Sequence, residues 1–121
     1  MSQNNRALGG EKELMAARYL VSKGYEILEM NFRNRRGEID IIAKDSEYLV
    51  FIEVKYRKNA SAGYPAEAVN EKKQRTISLV ADYYMLRYGI ASGTPCRFDV
   101  IAILGDEITH YENAFEYQGG W

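Results

Sequence analysis

Glu38-Ile39-Asp40-Ile41-Ile42-Ala43-Lys44 and Tyr48-Leu49-Val50-Phe51-Ile52-Glu53-Val54-Lys55-Tyr56 are separated only by Asp45-Ser46-Glu47, and these two runs decide how the chain folds. Both are rich in β-branched and aromatic residues, and a short polar break between two such runs predicts an antiparallel hairpin. Strand side chains alternate between faces with period 2, so Asp40 shares a face with Glu38 and Ile42, and Glu53 shares one with Lys55. The opposite face of the second run carries Val50, Ile52 and Val54, which suit a core. Pairing as a hairpin sets Asp40 beside Glu53. Two carboxylates and an ammonium then converge inside a sheet.

Working outward, Tyr25 to Phe32 reads as a preceding strand and Asn34 to Gly37 as a polar turn. From about Asn5 to Lys23 the pattern is helical, with Leu14, Ala17 and Val21 at i, i+3, i+7 and Gly24 as the stop. Lys58 to Tyr64 is a loop. Pro65 or Asn70 opens a second helix with Ile77, Val80, Ala81 and Tyr84 on one stripe, closed by Gly89. Arg97 to Leu104 and Glu107 to Glu112 read as two further strands, and Gln118 to Trp121 as a loose end. The order α-β-β-β-α-β-β predicts an α/β fold, a mixed β-sheet flanked by helices.

The 121 residues have the size of one domain, spanning 1–121, and 46% hydrophobic with 27% charged residues is a globular profile. A single cysteine, Cys96, and no zinc-site spacing of Cys and His predict a reducing compartment. Met1 to Glu11 is polar, without a signal-peptide core, and no run of about 18 apolar residues occurs. The expectation is a cytoplasmic protein with no membrane partner. A net charge of −1 argues against a dedicated nucleic-acid binder. The basic residues nevertheless cluster, as Arg33, Arg35 and Arg36, then Lys55, Arg57 and Lys58, then Lys72, Lys73 and Arg75. Solvated faces would account for such clusters equally well.

Two carboxylates a few ångströms apart raise each other's pKa unless a cation joins them, and Mg²⁺ (or Mn²⁺) suits carboxylates plus substrate phosphate oxygens. A plain Glu53–Lys55 ion pair is the competing reading. The first helix offers a third acid: Glu13, Ala16, Ala17 and Leu20 follow i, i+3, i+4, i+7, so Glu13 rather than Glu11 extends a small-residue stripe able to press on the sheet. A first-turn acid stabilising the helix dipole would look the same. Lys73 and Gln74 begin the buried stripe of the second helix, where side chains lean toward its N-terminus and can reach a phosphate; an exposed first turn is the alternative. Asp99 shares a face with Ile101 and Ile103 and is expected to pair with an Arg or Lys. Tyr83, Tyr84 and Tyr88, at helical spacing, are expected in the core or an interface, and His110 is given no role.

Gly37-Glu38-Ile39-Asp40-Ile41-Ile42-Ala43 followed by Phe51-Ile52-Glu53-Val54-Lys55-Tyr56-Arg57 resembles the signature of the YraN family, small bacterial endonuclease-like proteins similar to archaeal Holliday junction resolvases. Asn31-Phe32-Arg33, Lys73-Gln74-Arg75 and Arg97-Phe98-Asp99-Val100 extend the likeness over nearly the whole chain. The resemblance implies a restriction-endonuclease-like fold whose Asp…Glu-x-Lys motif maps onto Asp40, Glu53 and Lys55. The family's Gly-Glu pair before Tyr-Leu places its acid at Glu13, with Lys12 where the family has glycine. The activity so implied is metal-dependent hydrolysis of phosphodiester bonds in structured or branched DNA. Asp40 and Glu53 would hold the metal, with Lys55 and Glu13 completing the catalytic set. Arg33, Arg35, Arg36 and Arg57 would hold the DNA backbone, with Lys73 and Gln74 near the phosphate. The alternative is a non-catalytic nucleic-acid- or protein-binding module of the same fold. A homodimer is compatible with either.

Overall fold

The computed structural model describes residues 2–59, 61 and 69–119, with side chains in the first helix described from residue 10 onward. Pro65, nearly all of the loop around it, and Trp121 lie outside the described residues. The elements are α1 (Ser2–Ser22), β1 (Glu26–Asn34), β2 (Gly37–Asp45), β3 (Tyr48–Arg57), α2 (Glu71–Arg87), β4 (Cys96–Leu104) and β5 (Glu107–Tyr111). The expected α-β-β-β-α-β-β order holds, with β1 shifted toward the turn relative to Tyr25–Phe32.

The end signals act through the backbone groups they satisfy. Gly24 takes φ +94, which lets the Tyr25 N–H reach back to the Leu20 carbonyl at 3.0 Å and close α1. Asn70 caps α2 by accepting the Lys73 N–H at 2.9 Å. The five strands lie in the order β1-β2-β3-β4-β5. β3 and β4 pair in parallel and all other neighbours antiparallel, so the sheet is mixed and α2 is part of the long crossover that the parallel pair requires.

One helix covers each face. Ala16, Ala17 and Leu20 of α1 pack on Ile41, Ala43, Val50, Ile52, Ile101 and Ile103. Ile77, Val80, Ala81 and Tyr84 of α2 pack on Phe32, Ile39, Ile42, Phe51 and Phe98. The α2 stripe is the expected one. The α1 stripe is not Leu14-Ala17-Val21, because Leu14 and Val21 are 52% and 57% exposed. The adjacent alanines let the helix backbone approach the sheet closely, and that close approach selects the Glu13-Ala16-Ala17-Leu20 face despite its smaller hydrophobic content.

Alternation also fails at one point in β2. Ile39 and Ile42 belong to the α2-side core while Ile41 belongs to the α1-side core. The switch falls at Asp40. It is matched on β1 by Asn31, which lies between the pairs Met30↔Ile41 and Phe32↔Ile39 and takes φ +55. Asn tolerates this left-handed backbone better than most residues.

Gly37 sits where the β1–β2 hairpin meets α2. A Cβ there would come within 2.6 Å of Thr76 Cγ2. Thr76 is β-branched and stiff about χ1, so Gly37→Ala is expected to cost about 1–3 kcal/mol in urea unfolding. Adding Thr76→Ser, which removes that methyl, should recover most of the loss. A Gly37→Ala protein of parental stability would show that helix and hairpin separate without cost.

Candidate functional site

The β2–β3 ladder runs from Asp45↔Tyr48 to Ile41↔Ile52. The next pair would be Asp40 and Glu53. There the Asp40 side chain replaces a backbone carbonyl, its Oδ2 accepting the Val54 N–H at 2.7 Å. The carboxylate is thereby fixed at the point where the two strands part. Glu38 on the same strand and Glu13 from α1 converge on it, and one oxygen from each of Glu13, Glu38 and Asp40 lies within 4.8 Å of the others. These three carboxylates are close enough to hold one metal ion.

Glu53 approaches from β3 and is 4% exposed. Its Oε2 lies 3.3 Å from Lys55 Nζ and 3.5 Å from Lys73 Nζ. Its Oε1 is buried without a hydrogen-bond partner among the described residues. A buried carboxylate oxygen left unpaired costs on the order of 1–3 kcal/mol or more, so it calls for a partner.

Burial, then the Glu53 charge, pushes the Asp40 carboxyl up to about 8, against the Val54 N–H, which favours ionisation; Glu13 and Glu38 add to the rise. Glu13 is also raised, by burial first and by the charges of Glu38 and Glu53, with hydrogen bonds involving Asn31 and Asp40 opposing. Clustered acids of this kind are relieved by a cation. The donors are all oxygens, which fits Mg²⁺ or Mn²⁺ better than zinc, and the unpaired Oε1 adds an available acceptor.

The expected residues are distributed as follows. Glu13 faces the cluster and Glu11 is exposed. Lys55 pairs with Glu53 at 3.3 Å and the Glu53 charge is felt at Asp40, but the carboxylate group close enough to share one ion is Glu13, Glu38 and Asp40, without Glu53. Lys73 is half-buried with its Nζ 3.5 Å from Glu53 Oε2, whereas its first-turn neighbours Glu71 and Lys72 are exposed. Gln74 Nε2 donates to the Val69 carbonyl at 3.1 Å. Arg33 is paired with Glu38 at 3.1 Å, and Arg57 donates to the Tyr56 carbonyl at 3.0 Å. Arg35 and Arg36 stand exposed at the β1–β2 turn.

Sequence reasoning missed Glu38 and Asn31 as members of the cluster. Glu38 lies two residues before Asp40, so a signal for it was available; the left-handed turn at Asn31 left none. Asp99 pairs as expected, with Arg97 through two bonds of 3.0 Å. It also meets His110 Nε2 at 2.7 Å and the Asn113 N–H at 2.9 Å. Burial would raise Asp99, but His110, Arg97 and the Asn113 N–H outweigh it and hold the carboxyl below its usual value. Arg97 pairs in register with Val50 and Val100 with Glu53. Asp99 itself pairs with Ile52, next to Glu53, but alternation puts it on the sheet face opposite Glu53, where the network ties β4, β5 and the Asn113 turn together.

Residues 12–103, which contain every acid of the cluster together with Glu53, Lys55 and Lys73, match the model of uncharacterised protein family UPF0102. The chain belongs to family UPF0102. This is the family that the motif resemblance indicated as YraN. A UPF0102 protein of Lachnoclostridium phytofermentans is 49% identical over 116 residues, covering 96% of this chain and 98% of its own. One from Clostridioides difficile is 47% identical over 114 residues, 93% of this chain and 99% of its own. One from Thermodesulfovibrio yellowstonii is 50% identical over 108 residues, 89% of this chain and 95% of its own. The likeness to such UPF0102 members therefore runs nearly end to end. Among the described residues no helix is long and apolar enough to cross a membrane.

Proposed function

We propose that the protein is a divalent-metal-dependent nuclease acting on structured or branched DNA. The observation that carries the reading is Glu53, a carboxylate 4% exposed with one oxygen between two ammonium groups and the other unpaired, beside an Asp40 already crowded by Glu13 and Glu38. A stabilising ion pair needs one acid and one base; four converging acids work against the metal-free fold. Asp40 and Glu53 would hold Mg²⁺ or Mn²⁺, with Glu13 and Glu38 supplying neighbouring oxygens. Bound there, the ion would polarise a phosphoryl oxygen and lower the pKa of the attacking water.

The chain's own cations do the rest. Lys55 offers its ammonium to the negative charge that develops on the phosphorane oxygens. Lys73, on the same Glu53 oxygen, offsets the acidic field that would otherwise repel the phosphate. The exposed Arg35 and Arg36 hold flanking phosphates through planar guanidinium forks, and Arg57 lies on the strand that carries Lys55.

The test is a labelled panel of single strand, duplex, flap and four-way junction incubated with Mg²⁺ or Mn²⁺. Cleavage with a preference for the branched members is expected, and none for Asp40→Asn or Glu53→Gln. Binding without cleavage anywhere in the panel would transfer the protein to the class of non-catalytic nucleic-acid-binding modules. Arg35→Ala/Arg36→Ala should weaken DNA binding and flatten its log–log salt dependence by about two units, since two phosphate contacts are lost. An unchanged slope would remove both arginines from the backbone contacts.

A further inference from the structure

The turn carrying Arg35 and Arg36 lies against α2, and two adjoining cavities open between them. One, of about 410 Å³, is lined by Asn34, Arg35, Arg36 and Tyr83. The other, of about 360 Å³, is lined by Asn34, Arg36, Leu79, Asp82, Tyr83 and Leu86. Tyr83 is 41% exposed and Leu86 84% exposed. The Tyr83 ring is backed by buried Phe32, with ring centres 6.0 Å apart and planes at 31°. Asn34 Oδ1 accepts the Arg36 N–H at 2.8 Å and the Gly37 N–H at 3.3 Å, which shapes the turn that carries both guanidinium groups. Asp82 on the far wall accepts the Tyr117 hydroxyl.

A supported aromatic ring, aliphatic walls and two guanidinium groups match a nucleotide, with its flat apolar face and its phosphate. In a continuous duplex each base is covered above and below by its neighbours, so stacking a protein ring on one costs unstacking, and that cost is least for a base already unpaired. Place in the fold also matters. Lys73, which touches Glu53, and Tyr83 are ten residues apart on α2, about 15 Å, or no more than about four nucleotides of stacked strand.

We propose that these joined cavities take one unpaired nucleotide of DNA, its base on Tyr83 and its phosphate on Arg35 and Arg36. The proposal rests on the nuclease reading for its substrate and narrows that substrate to DNA with an unstacked nucleotide a few steps from the scissile bond.

The full chain is titrated, without divalent metal, with a duplex bearing one unpaired 2-aminopurine and with the fully paired duplex. The parent should prefer the unpaired probe by about 10-fold or more and quench its fluorescence. Tyr83→Ala should lose the preference while keeping its affinity for paired DNA, and Tyr83→Phe should retain it, because stacking uses the ring and not the hydroxyl. A ratio near one for the parent, or Tyr83→Phe behaving as Tyr83→Ala, overturns the pocket. So does a Tyr83→Ala change confined to sedimentation, which would assign this face to a second copy of the chain. Cleavage in Mn²⁺ is scored separately. DNA cut without the preference leaves the nuclease reading standing and the pocket wrong. A Tyr83-dependent preference without cutting leaves the pocket standing and the nuclease reading wrong. No DNA binding in the titration together with no cleavage in Mn²⁺ overturns both.

Discussion

Lys55→Ala is expected to lower single-turnover cleavage by about 100- to 1,000-fold while DNA and metal affinity change only a few-fold. The Lys55 ammonium is held 3.3 Å from Glu53 Oε2 with its side chain 22% exposed, so it is ordered yet open to substrate. A positive charge fixed beside a reacting phosphate interacts most strongly when negative charge has built up, and that difference appears in turnover rather than in binding. Removing Lys55 does not strand the buried Glu53, because Lys73 still reaches the same oxygen at 3.5 Å. The variant should therefore fold, and a thermal melt within a few degrees of the parent would verify this. Cleavage at the parental rate would reduce Lys55 to an ion-pair partner of Glu53.

In the absence of metal, Asp40→Asn should be more stable than the parent, by an amount that depends on pH. The Asp40 carboxyl is raised from 3.8 to about 8, chiefly by burial and the Glu53 charge. For an acid raised in this way, the parent keeps its full stability below the ordinary carboxylate value and loses it progressively as pH climbs through about 8. Asparagine cannot ionise and escapes the loss, so the gap opens from about pH 4 and levels off above about pH 8. The side-chain oxygen of asparagine can still accept the Val54 N–H, so the strand junction survives. Mn²⁺ should narrow the gap from the parent's side. Ligand at 100 times its Kd adds about 2.7 kcal/mol to the protein that binds it, so the parent should gain several degrees of melting temperature and Asp40→Asn none. Equal gains in both proteins would move the metal away from Asp40, and a gap that shrinks as pH rises would contradict the acid cluster itself.

Much of the architecture was legible because it is encoded between near neighbours. Period-2 runs flanking Asp45-Ser46-Glu47 specify a hairpin, Asn70 and Gly24 satisfy the backbone groups of the helix ends beside them, and Ile77-Val80-Ala81-Tyr84 marks one side of α2. The hairpin alone also brings Asp40 and Glu53 together and puts Lys55 on the Glu53 side. Glu13 was legible for the same reason, through its spacing from Ala16, Ala17 and Leu20.

Only the tertiary structure decided the rest. Leu14 and Val21 make as good a helical stripe as Ala16 and Leu20, and the choice between them follows from how closely α1 can approach a sheet formed by residues elsewhere in the chain. The left-handed Asn31 reverses the alternation across from Asp40, and with Asp40 anchored to the Val54 N–H, Glu38 and Glu13 close around it. Lys73 reaches Glu53 across twenty positions of sequence. Local signals determine backbone conformation because dihedral preferences, caps and periodicity act over a few residues. Which side chains finally meet is decided by the packing free energy of distant segments, to which no short stretch of sequence has access.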